Sequence, residues 1–421
     1  MHIIRGKWFG DLERWQRNLY VLWLAQFIAM AGMSACVPFL PIFIKELGVS
    51  DKALAQQWSG FVFSGPFLVS FLTTPFWSAL GDRFSRKLLV LRAVIGLSIS
   101  MVCMGYSHSV EELLMWRIIQ GAVSGFVAAN LSFVSAETPS ENVGYAIGVM
   151  QTSQNAGAIL GPFIGGALSH AVGMRPVFWI VGGLASVSAA LVALFVLETH
   201  SASTKVSSSS VRSNLVYAFR QKDILLILAL MVVSQMSIVF TTPLFPYYLE
   251  ELGTSADWLS LATGAFVGIV GVNSLIFTPR WGRRNDKKGY RKTIKVTAAV
   301  VGIVTIIQAF AVDALTLLIL RFVIGVFIGG VVPSLSTALS KISPKEIRGG
   351  IMGFAASAML LGNLLSPPVS GMISPYIGIR WCFAIAGILM LVVSVASMFL
   401  RDVVVEQRER EVVIQQHEIE E

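Results

Sequence analysis

The amino-acid sequence predicts an all-α integral membrane protein with about twelve transmembrane helices in two six-helix repeats. The first observation is composition: 55% of the residues are hydrophobic and 13% are charged, whereas a typical soluble protein is about 25% charged. The second is that apolar stretches reach the ~20 residues that a helix needs to cross a bilayer. The third is that residues of the first half recur in the second half at a spacing of 204 or 205 positions.

Twelve apolar stretches are predicted to span the membrane. In the first half they cover residues 19–44, 57–79, 88–107, 112–136, 143–170 and 174–197. In the second half they cover residues 223–249, 258–279, 295–312, 315–340, 350–375 and 379–400. The chain is therefore divided into a cytoplasmic amphipathic N-terminus, a first bundle, a cytoplasmic linker, a second bundle and a cytoplasmic tail, at residues 1–18, 19–197, 198–222, 223–400 and 401–421. The serine-rich composition of the linker is typical of a flexible segment.

The internal repeat predicts how the two bundles are related. Matched pairs run along the whole half-chain: Pro38 and Pro243, Pro75 and Pro279, Trp77 and Trp281, Asp82 and Asp286, Arg117 and Arg321, Gly121 and Gly325, Gly157 and Gly362, Pro162 and Pro367. Two parallel six-helix repeats place a substrate site between them near the membrane midplane, and rocking of the two halves gives alternating access to that site.

Lysine and arginine are distributed unevenly between the predicted loops. If both termini are cytoplasmic, 25 of the 32 lie in cytoplasmic segments and four, Lys45, Lys52, Arg175 and Arg380, lie on the other side. This is the asymmetry that the positive-inside rule predicts for a multi-pass protein of the plasma (inner) membrane. The net charge of +8 is therefore interpreted as a marker of topology, and no nucleic-acid partner is expected.

The residues that usually carry enzymatic or metal chemistry are scattered. Cys36, Cys103 and Cys382 lie far apart in apolar stretches, which indicates buried thiols rather than disulfides or metal ligands. The five histidines are in predicted loops or at the termini. No phosphate-binding loop motif is present, which excludes an ATP-driven pump. An enzyme, a cofactor and a metal are therefore not expected.

The N-terminal segment has the spacing of a short amphipathic helix. Ile4, Trp8, Leu12 and Trp15 recur every three or four positions between charged residues. This pattern predicts a helix over residues 3–15 that lies on the cytoplasmic face of the membrane.

Residues 157–166 combine four glycines and a proline in an apolar run, with the spacing G-x-x-x-G-P-x-x-G-G. Gly157, Gly161, Pro162, Gly165 and Gly166 would destabilise a helix in water. In a membrane they are tolerated, because glycine lets a neighbouring backbone approach closely. A tightly packed helix pair without a functional role is the alternative interpretation.

Arg117 lies inside the fourth apolar stretch, where a cation costs at least ~2.5 kcal/mol on insertion scales. Gln120 and Gly121 follow it by three and four residues and therefore share its helix face. The alternative is an arginine that extends along the helix to the membrane surface.

A short loop between the second and third stretches carries Asp82 among Arg83, Arg86 and Lys87. A carboxylate there can pair with these cations or lie at the N-terminus of a neighbouring helix, where the helix dipole contributes about 0.3–1 kcal/mol. The alternative is that the charges only set the topology.

These three motifs resemble those of the twelve-helix drug:proton antiporters of the major facilitator superfamily. Residues 78–87 resemble the loop motif G-x-L-A-D-R-x-G-R-K, with Ser78 and Ser85 in place of two family glycines. Leu114-x-x-Arg117-x-x-Gln120-Gly121 resembles the motif of the fourth helix, and residues 157–166 match the antiporter motif in full. The resemblance extends over about residues 15–400.

The resemblance implies the major facilitator fold, export and protons as the coupling ion. It implies a conformational switch at Asp82, Arg83, Arg86 and Lys87, with Asp82 contacting the start of the eleventh helix near Glu346. It implies a coupling role for Arg117, Gln120 and Gly121. For the antiporter motif it implies close packing against the first or second helix, which seals one end of the cavity. In the second copy, Ser366 and Ser370 replace two glycines, so looser packing is expected there.

The distribution of acidic residues departs from the pattern of proton antiporters. The interiors of predicted helices one, two, five, seven, eight and eleven contain no aspartate or glutamate, whereas transporters of this type commonly carry an acid there. The nearest candidates are Asp82, Glu137, Asp223 and Asp313, all near predicted helix ends.

Amide side chains in the apolar stretches are candidates for the substrate cavity. Gln151, Gln154 and Asn155 form one polar stripe on the fifth predicted helix. Gln26, Gln235 and Asn273 lie on helices one, seven and eight. An apolar cavity with few polar groups suits amphipathic molecules. Hydrogen bonding between helices is the alternative for each amide.

The function that the sequence predicts is secondary active export of small amphipathic molecules, that is multidrug efflux, by proton antiport. The alternatives are an exporter of one metabolite or siderophore, a nutrient importer of the same fold and, more remotely, a transporter-like receptor. The protein is expected to act as a monomer in contact with membrane lipid.

Overall fold

The computed structural model describes residues 12–81, 85–123, 125–198, 211–344 and 347–402. In these ranges all regular secondary structure is helical, which confirms the predicted fold class. Asp82, Arg83, Glu346 and most of the predicted N-terminal amphipathic helix lie outside the described residues.

The first half of the chain contains eight α-helices. They are α1 Arg14–Cys36, α2 Leu40–Glu46, α3 Lys52–Gly81, α4 Arg86–Gly105, α5 Val110–Val123, α6 Phe126–Glu137, α7 Val143–Val172 and α8 Met174–Phe195. Each of the first six predicted spans coincides with one of these helices or with two consecutive ones.

The second half contains nine α-helices. They are α9 Val211–Arg220, α10 Lys222–Phe240, α11 Phe245–Glu251, α12 Ala256–Lys288, α13 Tyr290–Gln308, α14 Ala314–Ile328, α15 Val331–Ile342, α16 Arg348–Ile377 and α17 Ile379–Ala396. Helix α9 lies in the segment that composition assigned to a flexible linker. It forms there because Ala218 is buried and Tyr217 packs against the same hydrophobic cluster.

The described helices are long and apolar enough for a multi-pass membrane protein. Nine helical stretches among the described residues meet the length and hydropathy expected of a membrane span. Helices α3, α7 and α13, of 30, 30 and 19 residues, coincide with the other three predicted spans.

The first and seventh spans are interrupted at equivalent positions of the repeat. A 3-10 turn at Val37–Phe39 separates α1 from α2, and another at Thr242–Leu244 separates α10 from α11. Each turn contains a proline, Pro38 or Pro243, and a second proline follows three residues later. Because proline has no backbone N–H to donate, the α-helical hydrogen-bond ladder breaks at these positions.

The chain divides into two compact units. The first comprises Met1–Thr204 and Thr254–Gly268, and the second comprises Lys205–Gly253 and Ile269–Glu421. In the first unit α1 packs mainly on α7 and α8, while α4 packs on α8. In the second unit α13 packs on α17, and α10 packs on α16.

Candidate functional site

The antiporter motif forms a side-chain-free strip where α7 contacts α1. A Cβ atom added at Gly157 would lie 2.6 Å from the Met30 Cβ, and one added at Gly161 would lie 2.5 Å from the Ser34 Cβ. At Gly165 it would overlap the main chain of Ala35. Separations under 3.0 Å are not seen for real Cβ atoms, so any side chain on this strip must push the two helices apart. Of the two partners that the resemblance allowed, the structure places the first span against the motif.

A second face of the same motif contacts residues 254–268, at the start of α12. A Cβ added at Gly166 would lie 2.9 Å from the Ser260 carbonyl oxygen. One added at Gly264 would overlap the Pro162 carbonyl oxygen and lie 3.1 Å from the Gly166 Cα. The motif therefore allows close packing on two sides of α7, a division that sequence spacing did not reveal.

The end of α7 is held to the same segment by His170. Its Nδ1 lies 2.6 Å from the Asp257 carbonyl oxygen, and its ring stacks on Trp258 at a centroid distance of 5.2 Å. These contacts extend the interface of α7 and α12 by one helical turn beyond Gly166.

The second copy of the motif has serine side chains at two positions where the first copy has glycine. Gly362 faces α10, where an added Cβ would lie 2.7 Å from the Gln235 Cβ. Ser366 donates a hydrogen bond to the Met236 carbonyl oxygen at 2.7 Å, and Ser370 bonds within its own helix to Pro367. The contact between α10 and α16 is less extensive than that between α1 and α7, so the two halves of the repeat are not equivalent.

Arg117 is buried, with 4% of its surface exposed. Its Nε donates to the Val62 carbonyl oxygen at 3.0 Å, and its Nη1 donates to the Gln120 Oε1 at 2.6 Å. Both acceptors are neutral. One interpretation of the sequence was that this side chain extends along the helix to the membrane surface. Its burial and its two hydrogen bonds show that it does not.

Gly121 completes this cluster by allowing α5 to approach α3. A Cβ added there would lie 2.7 Å from the Cα of Pro66. The close approach brings the main chain of α3, and with it the Val62 carbonyl, within reach of Arg117.

The described part of the loop motif begins α4. The backbone N–H of Arg86 donates to Glu198 Oε1 at 2.7 Å, and that of Lys87 donates to Glu198 Oε2 at 3.3 Å. The Ser85 hydroxyl also bonds to Glu198 and accepts from the Leu88 N–H at 3.2 Å. This role of Glu198 was not predicted from the sequence.

The same arrangement recurs in the second unit, at the start of α13. The Arg291 N–H donates to Asp402 Oδ2 at 2.9 Å. Asp402 follows Glu198 by 204 residues, which is the spacing of the repeat. That spacing is the signal that could have identified the pair of carboxylates from the sequence.

Three of the amides proposed for the cavity bond to neighbouring helices. Gln26 donates to the Met150 carbonyl oxygen at 3.0 Å and accepts from Asn130 at 2.9 Å. Asn273 donates to the Phe322 carbonyl oxygen at 3.1 Å, and Gln235 donates to Asn363 at 2.9 Å. These contacts correspond to the alternative that the sequence left open.

The other three amides lie on α7 and remain accessible. Gln151 and Asn155 are exposed, and Gln154 is half-buried. Trp23 of α1 donates from its Nε1 to Thr152 at 2.9 Å and stacks on Phe27 at 5.6 Å. An aromatic pair and a polar stripe therefore lie next to each other along α1 and α7.

Two of the four acids near helix ends, Glu137 and Asp313, have structural partners among the described residues. Glu137 pairs with Arg14 at 2.9 Å. Asp313 accepts from the backbone N–H of Thr316 at 2.6 Å, and this bond lowers the pKa of its carboxyl. Within the described residues no group of three or more His, Cys, Asp and Glu side chains could hold a metal ion.

Comparisons with known proteins agree with this architecture. The model of the Major Facilitator Superfamily matches residues 22–274 and 227–418. The multidrug resistance protein MdtG of Yersinia enterocolitica is 31% identical over 377 residues, which cover 90% of this chain and 91% of that protein. The solved D-xylose–proton symporter has a TM-score of 0.76 at 18% identity, covering 93% of this chain and 99% of the symporter. The nucleoside transporter NupG has a TM-score of 0.76 at 13% identity, with 90% and 99% covered.

Proposed function

Because this chain belongs to the major facilitator superfamily, whose members are transporters and not enzymes, we propose that it exports small amphipathic molecules by proton antiport. The similarity to MdtG over nine-tenths of the chain supports multidrug efflux as the activity. The structural observation that carries the proposal is the glycine strip of α7, which packs against α1 on one side and residues 254–268 on the other.

The glycine strip supports alternating access through its lack of side chains. A helix face made of backbone can slide and re-form contact without changing rotamers, and in a membrane small residues allow such close approach. Gly157, Gly161 and Gly165 serve the contact with α1, whereas Gly166 serves the contact with α12. Opening one of these two contacts while the other stays closed changes the access of substrate to its site.

Arg117 supports the proposed coupling to protons. A buried guanidinium whose described hydrogen-bond partners are neutral is a strong fixed positive charge in a medium of low dielectric. Such a charge disfavours protonation of any group that approaches it and favours release of a proton when the site rearranges. The bond to Gln120 orients the guanidinium.

The distribution of cations supports a cytoplasmic location of both termini in the plasma (inner) membrane. Helix α12 ends in a basic region: a cavity of about 450 Å³ is lined there by Phe277, Arg280, Trp281, Arg283, Arg284, Lys287, Lys288 and Val326. In the proposed orientation this cavity faces the cytoplasm.

The deciding experiment measures substrate flux in everted membrane vesicles with an imposed proton gradient. The compounds are those to which expression of the protein makes an efflux-deficient host resistant. Accumulation inside the everted vesicles that collapses with a protonophore is the expected result. Gradient-driven movement in the opposite direction would identify an importer, and gradient-independent movement would remove proton coupling.

An importer coupled to protons is the second candidate. The observation that favours it is the likeness in fold to the D-xylose–proton symporter. Uptake of labelled sugars or nucleosides into intact cells that express the protein tests it directly, with empty-vector cells as the control.

A further inference from the structure

The C-terminal end of α12 concentrates positive charge around an accessible cavity of about 450 Å³. Five cations contribute to its wall: Arg280, Arg283, Arg284, Lys287 and Lys288. Arg284 is half-buried and the other four are exposed. Asp286, the only acidic residue between positions 277 and 288, pairs with Lys341 of α15 at 3.7 Å. Among the described residues that line it, the cavity therefore presents cations and no carboxylate.

The internal repeat shows that membrane topology alone does not require this charge. The residues 204 positions before the five cations are Phe76, Ala79, Leu80, Arg83 and Phe84. The first half thus has one cation where the second half has five, although both segments are predicted to lie on the same side of the membrane. Four of the five cations are additional to what the first half needs for its orientation.

Aromatic rings form part of the same wall and hold two of the cations. The Cζ of Arg280 lies 4.7 Å from the ring centroid of Phe277, and that of Arg284 lies 5.7 Å from the centroid of Trp281. Trp281 is itself fixed, because its Nε1 donates to the Val326 carbonyl oxygen at 2.7 Å. A ring attracts a guanidinium through its face, so the in-plane N–H donors can still bind the oxygens of an anion.

The helix face that carries the cations is apolar one turn earlier. Ile276, Arg280, Arg283 and Lys287 recur at intervals of three or four residues and therefore share one face of α12. Ile276 is exposed, as Leu275 beside it is. The predicted span ends at residue 279, which puts Ile276 at the level of the acyl chains and the cations at the level of the lipid headgroups. This order of an apolar surface followed by positive charge matches the two parts of a phospholipid.

We propose that the end of α12 binds an anionic phospholipid, with the phosphate in the cavity against Arg280 and Arg283 and an acyl chain along Ile276. Arginine suits this role because its planar set of donors binds two phosphate oxygens together. In the proposed orientation the site faces the cytoplasmic leaflet, where basic pockets at helix ends bind anionic headgroups. The lipid is a bound partner and not a transported substrate, so the inference goes beyond the proposed function.

The test measures lipid binding to the purified full-length protein in detergent. The probes are fluorescent phosphatidylglycerol and phosphatidylcholine with the same acyl chains, which differ in the net charge of the headgroup. Wild type is expected to bind phosphatidylglycerol more tightly. In the double variant Arg280→Gln with Arg283→Gln this affinity should fall roughly tenfold or more, because each cation near the headgroup contributes to the attraction, while binding of phosphatidylcholine changes little.

The matched control is the double variant Lys292→Gln with Lys295→Gln. It removes the same charge from exposed residues of α13 that do not line the cavity. It should leave the preference for phosphatidylglycerol unchanged. Equal losses in the two double variants would assign the preference to diffuse surface charge and overturn the site.

Two further outcomes would overturn the inference. Equal binding of the two lipids to wild type does so even if the Arg280 and Arg283 variant fails to fold. Glycerol phosphate carries the headgroup without acyl chains, and if it displaces labelled phosphatidylglycerol at concentrations similar to those of the lipid itself, the site is one for soluble phosphates. Binding is measured without a gradient or flux, so the absence of transport would remove the proposed function and leave the lipid site to be decided by these results.

Discussion

The carboxylate of Glu198 accepts a hydrogen bond from the backbone N–H of Arg86 at 2.7 Å, which ties the residues after α8 to the first turn of α4. Asp402 holds the first turn of α13 in the same way through Arg291. A carboxylate at a helix N-terminus binds N–H groups that have no partner inside the helix and is favoured by the helix dipole.

Replacing either capping carboxylate, that of Glu198 or that of Asp402, should destabilise its own unit, and the two losses should be similar. Glu198→Ala and Asp402→Ala remove the acceptor from the first turn of α4 or α13, and a lost helix cap costs about 0.5–2 kcal/mol. The measurement is the thermal unfolding midpoint of the protein in detergent. Glu141→Ala is the control, because Glu141 is exposed and its described bond is to the neighbouring Ser140. An unchanged midpoint in both variants would show that the caps do not contribute.

Gly161→Leu should block the contact between α7 and α1. The space at Gly161 is filled by Ser34 and the main chain of α1, and overpacking costs typically about 1–3 kcal/mol. We expect the variant to insert but to lose substrate flux in everted vesicles. Gly148→Leu is the matched control on the same helix, because a Cβ added at Gly148 meets nothing within 4 Å. Normal flux in Gly161→Leu would reduce the motif to packing without a role in transport.

Gly264→Val tests the other face of the motif. The added side chain would meet the Pro162 carbonyl and Gly166, so it should separate α12 from α7 while leaving the contact between α1 and α7 intact. Flux should fall, and a cysteine placed at exposed Trp258 should react faster with a water-soluble maleimide. The control is Gly282→Val on the same helix, where an added Cβ meets nothing within 4 Å. If the cysteine reacts at the same rate in Gly264→Val and in Gly282→Val, the expectation is wrong.

Arg117→Ala and Arg117→Lys should leave the protein inserted and remove most of its transport. Arg117→Ala removes the donors of both hydrogen bonds. Arg117→Lys lacks the planar set of N–H donors that binds the Val62 carbonyl and Gln120 together. We expect each variant to retain less than about a tenth of the wild-type flux, because the fixed position of the guanidinium between its two acceptors is lost. Substrate binding without a gradient serves as the control for folding. Full activity of Arg117→Lys would show that charge alone is required.

Stability should fall in strong acid through the Asp313 cap. Its pKa is lowered from the ordinary value of 3.8, chiefly by the bond from the Thr316 backbone N–H. A lowered pKa in the folded state means that the stabilisation is present above pH 3.8 and is lost as the pH falls through the folded-state value. Asp313→Asn keeps an acceptor and cannot titrate, so its unfolding midpoint should depend less on pH below 4 than that of wild type. Identical pH profiles would exclude the contribution.

The sequence by itself determined the fold class and the positions of the spans. The bilayer requires ~20 apolar residues for each helix, and this requirement is visible in any stretch of the chain without knowledge of its neighbours. The repeat determined that Arg117 and Arg321, or Gly157 and Gly362, are equivalent positions. The breaks at Pro38 and Pro243 follow from a property of proline itself.

Only the tertiary structure decided which surfaces these residues meet. Gly161 and Gly166 lie five residues apart in the same motif, and Gly161 faces α1 whereas Gly166 faces residues 254–268. Gln26 forms hydrogen bonds with Met150 and Asn130, which are more than a hundred residues away in the sequence. Glu198 caps the helix that begins at Arg86. Arg117 is held by two acceptors, whereas Arg321 at the equivalent position lies on the ring of Phe245. Local spacing fixes the face of a helix on which a residue lies, but the acceptor or ring opposite that face belongs to another helix, and its position is set by the packing of the whole unit.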